Sequence, residues 1–404
     1  MLIIVLLLVS LLIISVYAVQ TEKISKISPD IGSKDKADTQ VVQKAPSTSS
    51  LYVNSRTGND SSGTGSSTNP FKTITHAMDT ARSGTTIYVE GADPYDAANG
   101  EVFPIRMKSG VKLMKKPTAS SGSLVPVTEP PVITGGAHYD IPDSPMGRYV
   151  TILGADGATI SGFHLRAIDT PGSSDDGTSI LCDSTSPTIT KNSFSGYGRA
   201  GITTLGNAHP TITDNTFTGE LAWGITAYGE SYPAVTENSF SGNGGMDCTD
   251  HSHPTVDKNT FSCENTGFST KGSSDATFTN NVVKGNGESG IVTRQDSNPV
   301  IQGNKITQNP VGILTQPGAR TNPDIGGGGR STGGNIFDNY DWNIQHRAPT
   351  NISAVDNSWG SACCEEIDKK IYDGKDDALS GMVDVGTCVI CRATLPLRPA
   401  GNGS

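Results

Sequence analysis

From Ser179 to Trp359 the apolar and polar positions of the chain return in a fixed order. The stretch Pro187–Ser195 (PTITKNSFS) is echoed by Pro210–Thr218 (PTITDNTFT), Pro233–Ser241 (PAVTENSFS) and Pro254–Ser262 (PTVDKNTFS). Looser copies close at Val283, Ile306, Phe337 and Trp359. The asparagines of this phrase are Asn192, Asn215, Asn238, Asn259, Asn281, Asn304, Asn335 and Asn357, spaced by 23, 23, 21, 22, 23, 31 and 22 residues. A second phrase keeps step with it: Gly201-Ile202, Gly224-Ile225, Gly245-Met246, Gly267-Phe268, Gly290-Ile291, Gly312-Ile313, then Asn343-Ile344. Two independent phrases on one period exclude coincidence.

A unit of 22–23 residues made of short β-branched runs is too short for a helix pair, and the L-x-x-L-x-L pattern of leucine-rich repeats is absent. The remaining solution is one coil of an all-β solenoid, three short strands and three turns, with equivalent positions stacked about 4.8 Å apart. Asparagine then fits a sharp turn, because it tolerates the left-handed conformation, and stacked amides bond from coil to coil. Two residues on, Phe194, Phe217, Phe240, Phe261, Val283, Ile306, Phe337 and Trp359 predict an inward apolar stack. Ile202, Ile225, Met246, Phe268, Ile291, Ile313 and Ile344 predict another.

These repeats resemble right-handed parallel β-helix proteins of the pectate-lyase-like superfamily. The section Leu51–Val89 resembles an uncharacterised domain family found at the N-terminal end of exported β-helices. Its marks are Tyr52-Val53-Asn54, a Gly/Asp/Ser loop, Pro70-Phe71-Lys72-Thr73-Ile74, and Gly84–Val89 (GTTIYV). The resemblance implies a capping helix from about Phe71 to Arg82 over the open end of the stack, where apolar side chains and strand edges would otherwise be bare. The tail Asn357–Gly360, Ile371–Asp373, Asp376-Asp377 and Gly381–Asp384 resembles the closing segment of such proteins. Val132-Ile133, Tyr149–Leu153 and Ala158–Leu165 read as less regular early coils, giving about ten coils and a rod on the order of 50 Å. The expected organisation is a leader at 1–18, a flexible tether at 19–50, cap and first coils at 51–115, repeats at 116–362 and a C-terminal cap and tail at 363–404. The superfamily hosts lyases, hydrolases, epimerases, adhesins and inert scaffolds, so fold alone implies no activity.

Composition narrows the setting. Gly 47 and Pro 23 in 404 residues, with 17 % charged and 6 % aromatic residues, agree with a turn-rich all-β chain and not with a charged bundle. The net charge of −10 disfavours nucleic-acid binding, which needs a basic footprint. Met1–Val19 carries no charged residue, and Val16-Tyr17-Ala18 offers a small-residue cleavage site, as in a secretory signal peptide. The run is also long enough for an uncleaved membrane anchor. Thr21–Ser50 is polar without apolar period and reads as a tether. Either way the body is expected outside the cell, secreted or at the surface. Of seven cysteines, Cys363, Cys364, Cys388 and Cys391 crowd the C-terminal end. In an oxidising compartment they favour disulfides over zinc. Asn59-Asp-Ser61 and Asn351-Ile-Ser353 are glycosylation sequons. The glycine run Gly326–Gly329 lengthens one coil and predicts a loop on one face.

Strand alternation places the candidate chemistry. After the Gly-Ile phrase, Thr204, Ala227, Cys248, Thr270, Thr293 and Thr315 point inward, and their neighbours point out. One outward column reads Leu205, Tyr228, Thr249, Lys271, Arg294, Gln316 and Arg347; the other includes Thr203, Thr226, Asp247, Ser269 and Val292. Tyr228, Thr249 and Arg347 are substrate-binding candidates, since an aromatic ring stacks on a sugar and cations hold carboxylates. Lys271, Arg294 and Asp247 are catalytic candidates for β-elimination on a uronate polymer, in which a basic group removes the α-proton, with calcium as the cofactor the resemblance implies. A solvated face with ordinary charge pairs is the plainer reading. The turn Asp247–His253 (DCTDHSH) supplies Asp250, His251 and His253, which the register sets beside Glu230 as a metal-site candidate; turn residues bonding their own backbone explain it equally. Asp373, Asp376, Asp377 and Asp384 form a further oxygen-rich cluster suited to structural calcium or to a solvated acidic cap. Two functions follow: an exported β-helix binding extracellular polysaccharide or another surface partner along its outward sheet, or a polysaccharide lyase. An inverting hydrolase needs carboxylates about 6.5–9.5 Å apart, a condition Asp250 and Asp296 meet loosely.

Overall fold

The computed structural model describes residues 49–391, apart from 92, 118–128, 143–146, 169–175, 319 and 328. The expected leader, nearly all of the tether, and the tail after Cys391 lie outside the described residues. Among the described residues no helix is long and apolar enough to cross a membrane.

Three parallel sheets of ten, twelve and nine strands carry the chain from coil to coil. Each strand is short because each coil supplies one strand to each sheet. In the ten-stranded sheet Ile189, Ile212, Val235, Val256, Phe278 and Ile301 are in register. The nine-stranded sheet aligns Phe194, Phe217, Phe240, Phe261, Val283, Ile306 and Phe337. In the twelve-stranded sheet, the long sheet below, Ile202, Ile225, Met246, Phe268, Ile291, Ile313 and Ile344 align. All three columns are buried and merge into one core. The four phenylalanine rings from Phe194 to Phe261 stack at 4.7, 4.7 and 4.6 Å, nearly parallel. This is the stacked-coil architecture the two phrases predict. The strand Ala137–Tyr139 runs antiparallel to Arg148–Leu153 and is the exception.

The asparagine column is an amide ladder. Asn215 Nδ2 donates to Asn238 Oδ1 at 3.0 Å, Asn238 Nδ2 to Asn259 Oδ1 at 3.0 Å, and Asn259 Nδ2 to Asn281 Oδ1 at 3.1 Å. Each Oδ1 also accepts the backbone N–H of the preceding asparagine. One expectation shifts by a residue. The left-handed conformation belongs not to these asparagines but to the residue before each: Lys191, Asp214, Glu237, Lys258, Asn280 and Asp356, with φ of 54–62°, and Gly303 and Gly334. The ladder holds its neighbour in that conformation whatever the side chain. A second ladder, Asn286–Asn309–Asn339–Asn343, turns the next corner.

Both ends are closed. The N-terminal helix is Ile74–Thr80, shorter than expected, because Thr73 caps it by accepting from His76 N–H and Ala81 is already extended. Ile74, Ala77 and Met78 complete the core at this end. Two carboxylates hold the four consecutive N–H groups at its start. Asp60 accepts from Lys72 and Thr73 at 2.7 and 3.1 Å, and Glu101 accepts from Ile74 and Thr75 at 2.5 and 3.0 Å. Those of Thr73, Ile74 and Thr75 are among the orphan donors that every helix start must satisfy, and that of Lys72 lies just before them. At the other end the helix Cys364–Asp368 is stapled by Cys363–Cys391 and Cys364–Cys388, so these cysteines form disulfides and not a zinc site. Cys182, Cys248 and Cys263 are buried free thiols, all pushed up by burial and correspondingly unreactive.

Candidate functional site

The outward face of the long sheet is concave, which alternation alone does not predict. At Gly224 an added Cβ would lie 2.6 Å from the Phe240 ring, and at Gly245 it would lie 2.5 Å from the Phe261 ring. The glycine therefore faces the core, and so does the isoleucine or methionine after it. Two consecutive inward residues bend the strand, and the outward residues on either side of the bend face one another across a groove. The groove encloses about 490 Å³.

This bend corrects the exposure expected for the second outward column. Thr203, Thr226, Asp247, Ser269 and Val292 point away from the core yet are buried, and of these Ser269 and Val292 lie in the groove floor. On the earlier coils Thr178, Thr203 and Thr226 pass a hydroxyl hydrogen-bond chain at 3.1 and 3.0 Å.

The first outward column supplies one wall through Arg294 and Gln316. Tyr228, Thr249, Lys271, Arg294, Gln316 and Arg347 follow on successive coils, each backbone N–H bonded to the coil before. Lys271 Nζ lies 3.1 Å from Asp247 Oδ2, and the carboxylate is 1 % exposed. Two of the three catalytic candidates thus meet as an ion pair, and the lysine ammonium is engaged by its partner. Arg294 lines the groove itself and reaches Ser269 Oγ at 3.5 Å. Tyr228 accepts from Arg199 Nη2 at 3.1 Å, with the Arg148 guanidinium 5.8 Å from its ring centroid. Thr249 is buried in a turn, its carbonyl accepting from Ser252 N–H, and has no surface for a ligand. Arg347 is exposed, two coils beyond Arg294, over the Tyr372 ring.

The opposite wall comes from the residue two before each Gly-Ile phrase: Ala222, Asn243, Asn265 and Glu288. Beside it lies Trp223, half-buried, whose indole covers Gly244 so closely that a Cβ there would stand 2.7 Å from it. Sequence reasoning missed Trp223 and Glu288. Their signal was periodic: both precede the Gly-Ile phrase at fixed offsets, in columns that alternation assigned no face.

The metal candidates do not converge. Among the described residues no three His, Cys, Asp or Glu side chains are grouped to hold an ion. Asp250 has φ +58° and occupies the left-handed turn position that Gly229 and Gly272 fill on adjacent coils. The His253 ring stacks on Tyr232 at 4.9 Å, and Tyr232 stacks on His209 at 4.9 Å. Glu230 and His251 are exposed. The C-terminal acidic cluster is likewise a set of caps: Asp373 accepts from Lys375 and Val383 N–H, and Asp384 from Gly386 N–H. In both sets the side chains serve the turn and cap roles that were the alternative to a metal site. The glycine loop lies away from the groove, where Asp324 bridges to Val300 and Gly326 to Ala354 beside the ten-stranded sheet.

Comparison with known families agrees with this architecture. Residues 178–323 match a family described as right handed beta helix region, and residues 56–220 match one described as protein of unknown function, DUF1565. The chain is a right-handed parallel β-helix protein. The second match runs past the expected cap into the regular coils of the β-helix. No curated protein sequence matches the chain. Among solved structures the β-helix is similar to a mutant of the periplasmic alginate epimerase AlgG, at 15 % identity and TM-score 0.44, over 76 % of this chain and 74 % of that one. It is also similar to GH136 lacto-N-biosidase from Eubacterium ramulus, at 13 % identity and TM-score 0.48, over 84 % of this chain and 67 % of that one. Tailspike protein 3 of bacteriophage CBA120 is similar at 14 % identity and TM-score 0.32, over 86 % of this chain and 64 % of that one.

Proposed function

We propose that this β-helix is an exported protein that binds extracellular polysaccharide in the groove of its long sheet. The observation that carries the reading is Trp223, packed against Gly244 at one end of a groove whose walls bear amides, hydroxyls and charges. A flat aromatic flanked by hydrogen-bonding groups suits a sugar ring, which has an apolar face and polar edges. The two disulfides support export, since such bonds persist in oxidising compartments. The lyase reading is weaker, because the Lys271 ammonium is held by Asp247 and only Arg294, of the three catalytic candidates, lines the groove.

The test is retention on immobilised polysaccharides by the protein and by Trp223→Ala. The variant is expected to lose on the order of 1–3 kcal/mol, the scale of a flat ring on an aromatic side chain, with an unchanged unfolding midpoint. Equal retention by both proteins would end this reading. Absorbance from unsaturated uronate, followed in the same incubations, is expected to stay flat; a rise would establish the lyase instead.

A further inference from the structure

Resting on the groove reading, we infer that its ligand is an uncharged, linear polysaccharide segment lying along the solenoid axis from Trp223 to Trp342. Two independent features carry this.

The first is charge. The groove lining carries one charge of each sign, Arg294 and Glu288. Outside the lining, Lys271 is paired with the buried Asp247 at 3.1 Å. Arg294 on one wall faces Glu288, six residues earlier on the same coil, on the other. Arg347 and Asp341 occupy the same two wall positions on the coil carrying Trp342, both exposed. A groove balanced in this way presents hydroxyl-matching donors and acceptors with no net formal charge among its lining side chains. An anionic chain would meet Glu288 at the same time as Arg294, with like-charge repulsion offsetting the attraction.

The second is reach. Trp223 and Trp342 stand in one register column, linked through Thr266, Ser289 and Val311. Trp342 is half-buried, its ring meeting the Tyr372 ring edge at 5.6 Å. Five coil steps separate the two indoles, on the order of 24 Å at the inter-strand spacing. That distance is several sugar rings, so a disaccharide touches one platform and a longer chain touches both.

Binding is measured by calorimetry with neutral hexasaccharides of glucose, mannose, xylose and galactose, their disaccharides, and a galacturonate hexamer, at low and high salt. The expected result is a neutral hexasaccharide whose affinity is insensitive to salt, because no net charge is screened. The corresponding disaccharide should bind at least about tenfold more weakly, and Trp342→Ala should weaken the hexasaccharide about tenfold while sparing the disaccharide. Trp342→Phe, which keeps the contact with Tyr372, replaces the alanine variant if that one fails to fold. Preference for the uronate hexamer with a salt-dependent affinity, abolished by Trp223→Ala, would overturn the inference and leave the groove reading standing. Equal affinity for short and long neutral chains would overturn the two-platform reach. Binding of none of these sugars, or binding untouched by Trp223→Ala, would overturn both readings.

Discussion

Asn238 is where the amide ladder is most open to measurement. Its side chain is 2 % exposed. Oδ1 accepts the backbone N–H and the Nδ2 of Asn215 at 2.9 and 3.0 Å, and its own Nδ2 donates to Ile212 O, Thr236 O and Asn259 Oδ1. In Asn238→Ala the backbone N–H of Asn215 has no acceptor left and the carbonyl of Ile212 loses its side-chain donor. The Ile212 carbonyl keeps its ladder partner on the next coil, so one buried group is orphaned, at a cost of about 1–3 kcal/mol. The neighbouring Glu237, with φ +58°, supplies the contrast. Glu237→Gly removes a left-handed penalty of about 1–2 kcal/mol and adds about 0.5–1 kcal/mol of chain entropy, so it is expected to be neutral to slightly stabilising. Urea unfolding followed by far-ultraviolet circular dichroism reads both. A value for Asn238→Ala within about 0.5 kcal/mol of wild type, the range of ordinary surface changes, would refute the assignment of turn stability to the ladder.

Other perturbations follow from the same geometry. Lys271→Met leaves the Asp247 carboxylate buried without its cation and should lower stability by up to about 3 kcal/mol, while Asp247→Asn with Lys271→Met should recover part of it; thermal unfolding of the two variants decides. Reduction of the two disulfides releases closures of 28 and 24 residues, and each such loop is worth about 3 kcal/mol in the chain-entropy model; an unfolding midpoint unmoved by reductant would contradict a stabilising role for the staples. Burial holds the Glu101 carboxyl above its ordinary value of 4.5. Its contribution is therefore fully present below that value and is lost as pH rises through the higher folded-state value. The difference in midpoint between wild type and Glu101→Gln should vary with pH across this window, and a constant difference would refute it. His346, held low by burial, has the opposite sign: its contribution is present above the ordinary histidine value of 6.5 and is lost as pH falls through the lower folded-state value.

The core of this fold was legible because its columns are made of one residue class each. Phe194 through Phe261 and Ile202 through Ile344 announce both inward faces, and the asparagines announce a corner. The left-handed position was not legible, because Lys, Asp, Glu, Asn and Gly all occupy it and only the adjacent ladder makes it one site. The groove escaped for a related reason: strict alternation treats a Gly-Ile pair as one residue in and one out, whereas here both face inward and the strand bends. Tyr228, Lys271 and Arg294 stand in the one outward column that alternation gives, but Trp223 and Glu288 lie before the bend. The histidines beside Asp250 illustrate the converse, since density along the chain is not convergence in space: His253 spends its ring on Tyr232.

The two caps are fastened by different means, and this gives the rod a direction of failure. Its far end is closed by covalent staples, whereas the near end rests on two carboxylates grasping four amides. Under load or proteolytic attack the coils should peel from Ser50 onward, one turn at a time, toward the stapled cap. Pulled from the near end, the β-helix would pay out length gradually, and the coils carrying the groove, which begin well past the cap, would be among the later ones to let go.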